Sequence, residues 1–168
     1  YESWKVVIKN YIPTFNEETI LIGHGTGGLF ALRLIEESPK QLGGLFLVAT
    51  YAEAIGNVGY DRINTTFFEH AFNWEIIKTR ALTIRIFTGD NDPFVPMGIT
   101  QNLSQHLSQS VEVIPDGGHL NKAAGFTQIV PVAQEIKESL NNLDKSIQIE
   151  KIEEPVITQT NTTTLNPS

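Results

Sequence analysis

Cysteine is absent from all 168 residues. That excludes disulfides, thiolate zinc sites and a cysteine nucleophile, and it suits a cytoplasmic protein. No apolar run approaches the roughly 18 residues that cross a bilayer, so no membrane segment is expected. Cations are in the minority, with 12 Lys and Arg against 19 Asp and Glu and a net charge of −7. Neutralising nucleic-acid phosphates needs clustered cations, and no such cluster exists, so nucleic acid is not an expected partner. No lysine follows the glycines at 23–28, which removes a phosphate-binding P-loop. No glutamate follows Asp90-Asn91-Asp92 at the spacing of a calcium loop. Neither metal nor cofactor is therefore expected. An initiating methionine is also lacking. With Tyr1 first, a preceding segment is expected, and a removed leader is left open.

What is present suffices for one domain. The chain is close to the ~150 residues that typically make one, and 40% of it is hydrophobic, an ordinary globular value. Trp4, Val7, Ile8 and Tyr11 recur at helical spacing over residues 2–11, and Pro13 stops that helix. Thr19–Ile22 is a short apolar run closed by glycines, a buried parallel strand in form. Leu29, Leu32 and Ile35 mark an amphipathic helix to Glu37, and Leu45–Val48 reads as a second strand. Residues 51–73 are less regular and aromatic. A short helix at Trp74–Thr79, a strand at Leu82–Thr88, a helix at Ile99–Leu107, a strand at Ser110–Ile114 and a helix at Phe126–Leu140 complete the series. Strands alternating with helices predict an α/β class fold, a three-layer α/β/α sandwich on a parallel sheet. Residues 1–143 form the expected domain. Residues 144–168, rich in Thr, Glu, Asn and Gln, read as a flexible tail or linker, with room for one short strand near Ile147 and Ile149. Two sequons, at Asn64 and Asn161, are short enough to recur by chance.

Three loops carry chemistry, each at the carboxyl end of a strand, where open parallel sheets bind ligands. They are Gly23-His24-Gly25-Thr26-Gly27-Gly28, Gly89-Asp90-Asn91-Asp92-Pro93-Phe94-Val95-Pro96, and Asp116-Gly117-Gly118-His119-Leu120-Asn121. The first resembles the G-x-S-x-G nucleophile elbow. The order of elbow, acid loop and histidine loop resembles that of α/β-hydrolases. Together with the tryptophan-containing first helix, these motifs resemble the small serine-hydrolase family of the YdeN and retinoblastoma-binding-protein-nine type over residues 2–140. The resemblance implies hydrolysis of a small carboxylic ester or amide, with His119 as base, Asp92 as the acid that orients it, and the backbone N–H of Thr26 as an oxyanion donor.

The chain departs from that pattern at Gly25, which occupies the position of the nucleophilic serine and cannot attack. The resemblance thus implies a weakly active or inactive hydrolase. It also implies a strained backbone at this position, which glycine would relieve. The family further carries two strands before the first helix seen here, one with a His-Gly segment that supplies a second oxyanion donor. The domain therefore reads as N-terminally incomplete, and Thr19–Ile22 as an exposed edge through which the chain could self-associate.

Other readings compete. A non-catalytic binding protein would keep the same pocket. Gly23, Gly25 and Gly28 also spell G-x-G-x-x-G, the dinucleotide fingerprint, although the nearest acid after the next strand is Glu53, a few residues late. Thr26 is a candidate shifted nucleophile. Asp90 is the fallback for Asp92, and the Asp90–Asp92 run could be a solvated turn or a weak cation site. His24 reads as a loop-bracing residue, and His70 and His106 as ordinary surface or helix residues. Tyr60, Phe67, Phe68, Phe72, Trp74 and Phe94 either line an acyl pocket or pack over the sheet.

Overall fold

The computed structural model describes residues 1–153, with side chains described through residue 145. Four parallel strands, β1 (Ile20–His24), β2 (Gly44–Val48), β3 (Ile84–Gly89) and β4 (Val111–Ile114), lie side by side in chain order. The register aligns His24 with Val48, Val48 with Phe87, and Gly89 with Ile114, so the strands end together. Among the described residues six α-helices accompany them: α1 (Glu2–Ile8), α2 (Thr26–Glu37), α3 (Val58–Phe68), α4 (Trp74–Arg80), α5 (Met97–Leu107) and α6 (Val130–Glu153).

Alternation along the strands creates two cores. Leu45, Leu47, Ile84 and Ile86 project to one face and meet Leu29, Leu32 and Ile35 of α2, Ile77 of α4 and Leu103 and Leu107 of α5. Phe46, Val48 and Phe87 project to the other and meet Leu120 and Val132. The crossover helices thus share one face, and α6 covers part of the other. This is the three-layer parallel α/β architecture that the strand–helix alternation predicts.

Several local expectations change. α3 lies within the segment that lacked helical periodicity. Asn57 caps it by accepting from the N–H groups of Gly59 and Tyr60, and Asp61 reaches back to the N–H groups of Ile55 and Gly56. Asn57 and Asp61 are the start signal that periodicity alone overlooks. The last helix begins at Val130 rather than Phe126 and continues through 144–153, so Ile147 and Ile149 belong to helix and not to a short strand. Residues 154–168, the rest of the expected tail, and the Asn161 sequon lie outside the described residues. Asn64 is buried, and its amide donates to Tyr51 Oη and the Tyr60 carbonyl, so it is not an accessible glycan acceptor.

Two apolar surfaces remain open. Of the stripe on α1, Ile8 packs partly buried against the core, while Val7 is 77% exposed and Trp4 contacts Phe30 and Phe67 edge-on while remaining half-exposed. At the sheet edge β1 pairs, among the described residues, only with β2, and Ile22 is 58% exposed. No helix among the described residues is long and apolar enough to cross a membrane.

Candidate active site

The site lies beyond the carboxyl ends of β1, β3 and β4. The chain leaves β1 at His24, turns at Gly25 and enters α2 at Thr26. Gly25 has φ +53° and ψ −125°, a region that side-chain-bearing residues adopt only under strain. Its backbone is held on both sides: the N–H donates to the Val48 carbonyl at 3.0 Å, and the carbonyl accepts from Thr50 Oγ1 at 2.5 Å. The other two glycines of the fingerprint are needed for packing. A Cβ at Gly23 would lie 2.5 Å from Gly28 Cα, and one at Gly28 would lie 2.0 Å from Thr50 Oγ1. The turn is tight because strand and helix meet there almost backbone to backbone.

A Cβ built on Gly25 would stand 3.3 Å from His119 Nε2 and 3.8 Å from His119 Cε1. Among the described residues no other atom outside its own turn lies within 4 Å. The second ring nitrogen, Nδ1, is 2.8 Å from Asp92 Oδ2. Asp92 Oδ1 accepts from the N–H groups of Phe94 and Val95 at 2.9 and 3.1 Å. The Asp92 side chain is 1% exposed and that of His119 15%. Burial alone would raise the Asp92 pKa. The hydrogen bond from His119 and those from Phe94 and Val95 outweigh it, so the carboxyl is held below its ordinary value and is ionised at neutral pH.

Asp90 and Asn91 have another task. Asp90 Oδ1 accepts from the Asp116 N–H at 2.9 Å, and Asn91 Oδ1 from the Gly118 N–H at 2.6 Å. These bonds splice the acid loop to the histidine loop, and they engage an oxygen of each side chain that a cation would require. His24 Nε2 lies 2.8 Å from the His119 carbonyl, and the two rings meet edge-on at 4.6 Å. His24 thus braces the histidine loop from the elbow side. Positive φ also occurs at Ala49, Asp116 and Leu120. All three lie at this end of the sheet, so strain concentrates around the site.

The remaining candidates separate. The Thr26 hydroxyl sits 3.0 Å from Tyr51 Oη, directed to Tyr51 rather than to His119. Thr26 opens α2, and its N–H, at the first helical position, has no acceptor within the helix. Phe67 and Phe72 are core residues, and Trp74 stacks on His106. Phe94, 46% exposed, meets His119 edge-on at 5.0 Å and faces Tyr60. Of the aromatic set, Phe94 stands beside the histidine, and Tyr60 stands behind Phe94. Glu53, the acid weighed for a dinucleotide ribose, accepts from Asn102 on α5 at 2.8 Å. Sequence reasoning overlooked Thr50 as a site residue. An isolated threonine after a strand carries no signal of its own.

A parallel sheet with a strained strand-to-helix elbow facing an Asp–His pair defines the α/β-hydrolase class. The serine hydrolase family profile matches residues 1–138, and the chain belongs to that family. It is similar to the serine hydrolase RBBP9 of Rattus norvegicus, 29% identical over 119 residues, which covers 71% of this chain and 61% of that protein. Among solved structures it is similar to the ydeN gene product of B. subtilis, with a TM-score of 0.76 and 24% identity, covering 83% of this chain and 75% of that one. A putative YdeN-like hydrolase from Pectobacterium atrosepticum matches with a TM-score of 0.61 and 22% identity, covering 84% and 70%. These structural likenesses establish the fold. The aligned part spans about three-fifths of the rat protein's length.

Proposed function

We propose that this serine-hydrolase-family chain carries an acyl-transfer site for small carboxylic esters or amides, and that with glycine at position 25 it forms no acyl-enzyme. The observation that carries this reading is the position of His119 Nε2, 3.3 Å from where a Gly25 side chain would begin, with Asp92 on the opposite ring nitrogen.

A serine at position 25 would place its hydroxyl against Nε2. His119 would take the hydroxyl proton as the oxygen attacked the carbonyl, and return it to the leaving group. Asp92 would fix the tautomer and stabilise the imidazolium, and the Thr26 N–H would receive the oxyanion. Losing the nucleophile from such a set costs on the order of 10⁶ in rate. A second reading, a non-catalytic binding protein, draws support from the bracing by His24, Asp90 and Asn91 around a position with no nucleophile. The dinucleotide reading draws less, since close packing accounts for Gly23 and Gly28 and Glu53 is bonded to Asn102. A cytoplasmic setting suits a chain without cysteine.

A fluorophosphonate probe tests the proposal. Gly25→Ser is expected to be labelled and the unmodified chain is not. Labelling of the unmodified chain would redirect attention to Thr26 or another nucleophile. Failure of both to label, with a thermal shift on adding NAD, would favour the nucleotide reading.

A further inference from the structure

We propose that the Asp92–His119 pair works without an enzyme-borne nucleophile, as a general base for a small hydroxylic molecule seated beside Gly25. The inference rests on the acyl-transfer reading of the site and adds the nucleophile class.

Three observations carry it. The point where a side chain would begin is 3.3 Å from Nε2 and, among the described residues, otherwise free of neighbours within 4 Å outside the turn itself. An oxygen seated at that point would lie at the outer edge of hydrogen-bonding range of the base. Both backbone groups of Gly25 are already bonded, to Val48 and Thr50, so the turn does not draw the guest away from the imidazole. Finally, Asp92 engages Nδ1, which leaves Nε2 as the acceptor in the neutral ring. His119 is thus an oriented base facing the position that a side chain at residue 25 would occupy.

The step balances with a hydroxylic molecule alone. The oxygen of methanol or water bonds to the ester carbonyl carbon while His119 Nε2 takes its proton. The bond from that carbon to the leaving oxygen then breaks, and the leaving group departs with the electron pair and recovers the proton from His119. Water yields the free acid, and methanol yields the methyl ester. No oxidant, metal or further reactant is consumed. Positioned general bases contribute about 10²- to 10⁴-fold.

The test uses the full 168-residue chain with p-nitrophenyl butyrate and a series of methanol, ethanol and 2-propanol. The expected result is methyl butyrate formation that rises with methanol, is weaker with ethanol and is lost with 2-propanol. His119→Ala and Asp92→Asn should each reduce the methanol-dependent rate at least about tenfold. Gly25→Ala, which fills the seat with a methyl group, should do the same. Because alanine at that φ could compromise folding, the two loop variants carry the test independently. Equal methanol dependence in His119→Ala, or equal rates with all three alcohols, would overturn the inference. If Gly25→Ser is labelled by fluorophosphonate while the Gly25 chain ignores methanol, the inference falls and the acyl-transfer reading stands. If neither responds, both fall.

Discussion

The hydroxyl of Thr50 donates to the carbonyl of Gly25 at 2.5 Å while its side chain fills the space over Gly28. One fully buried residue just past the end of β2 thus holds the elbow's backbone and enforces a glycine in the first turn of α2. Thr50→Val should remove one of the two donors to the Gly25 carbonyl, the Gly28 N–H remaining, and cost about 0.5–1.5 kcal/mol. Gly28→Ala should destabilise by overpacking. The two sites touch, so Gly28→Ala in a Thr50→Ala background should cost less than in the unmodified chain, with a coupling of about 0.5–3 kcal/mol. Urea denaturation of the four chains measures the cycle, and strict additivity would contradict the arrangement.

Gly25→Ser introduces a side chain at φ +53°. Backbone strain there is worth about 1–3 kcal/mol, so the serine variant should melt at a lower temperature. A serine variant with an equal or higher melting temperature would refute the strain argument.

Asp92 makes stability acid-sensitive. Its folded pKa is lowered below the ordinary 3.8, so the unfolded chain binds the proton more readily. The contribution is present above about pH 4 and is lost as pH falls through the folded value. Asp92→Asn should be less stable at neutral pH and should flatten the acid limb of a melting-temperature profile. Parallel profiles for the two chains would show that Asp92 carries no such linkage.

Arg33 ties α2 to the segment after α3. Its guanidinium lies 3.8 Å over the Phe72 ring, pairs with Glu36 at 2.8 Å, and donates to the carbonyls of Phe67 and His70. Glu36 in turn accepts from the Asn73 N–H. Arg33→Met should strand these buried acceptors and cost about 3–5 kcal/mol. Chemical denaturation measures it, and a loss below about 1 kcal/mol, the scale of an ordinary exposed pair, would contradict the assigned role.

The edge of β1 away from β2 has no strand partner among the described residues. We propose that copies of this chain associate through it, since Ile22 is exposed there and runs into an open apolar groove with Ile129, Val132 and Ile136. Light scattering should show mass rising with concentration, and Ile22→Lys should suppress the rise. A monomer mass at every concentration would sink the idea.

Much of the site was legible because its loops use residue types with narrow uses. Glycines at 23, 25 and 28 demand a tight turn. An Asp–Pro loop followed by a Gly–His loop, both at strand ends, brings an acid and a base to one rim of the sheet. The helix at Val58–Phe68 was not legible from periodicity, because its aromatics serve different neighbours: Phe67 enters the core while Tyr60 faces Phe94. The stripe on α1 was legible as a helix, while what covers it was not, since periodicity reports a face and not its neighbours.

The sequence by itself determined the alternating strand–helix order, the three loops and the absence of a side chain at Gly25, because each is a local property of residue type and spacing. Tertiary structure alone decided which acid meets which histidine. Asp90 and Asp92 are two residues apart and chemically identical, and only the folded loop turns one toward the Asp116 N–H and the other toward His119 Nδ1. It also decided that the position beside Gly25 faces Nε2, since that distance joins residues almost a hundred positions apart and exists only once β1 and β4 lie in one sheet.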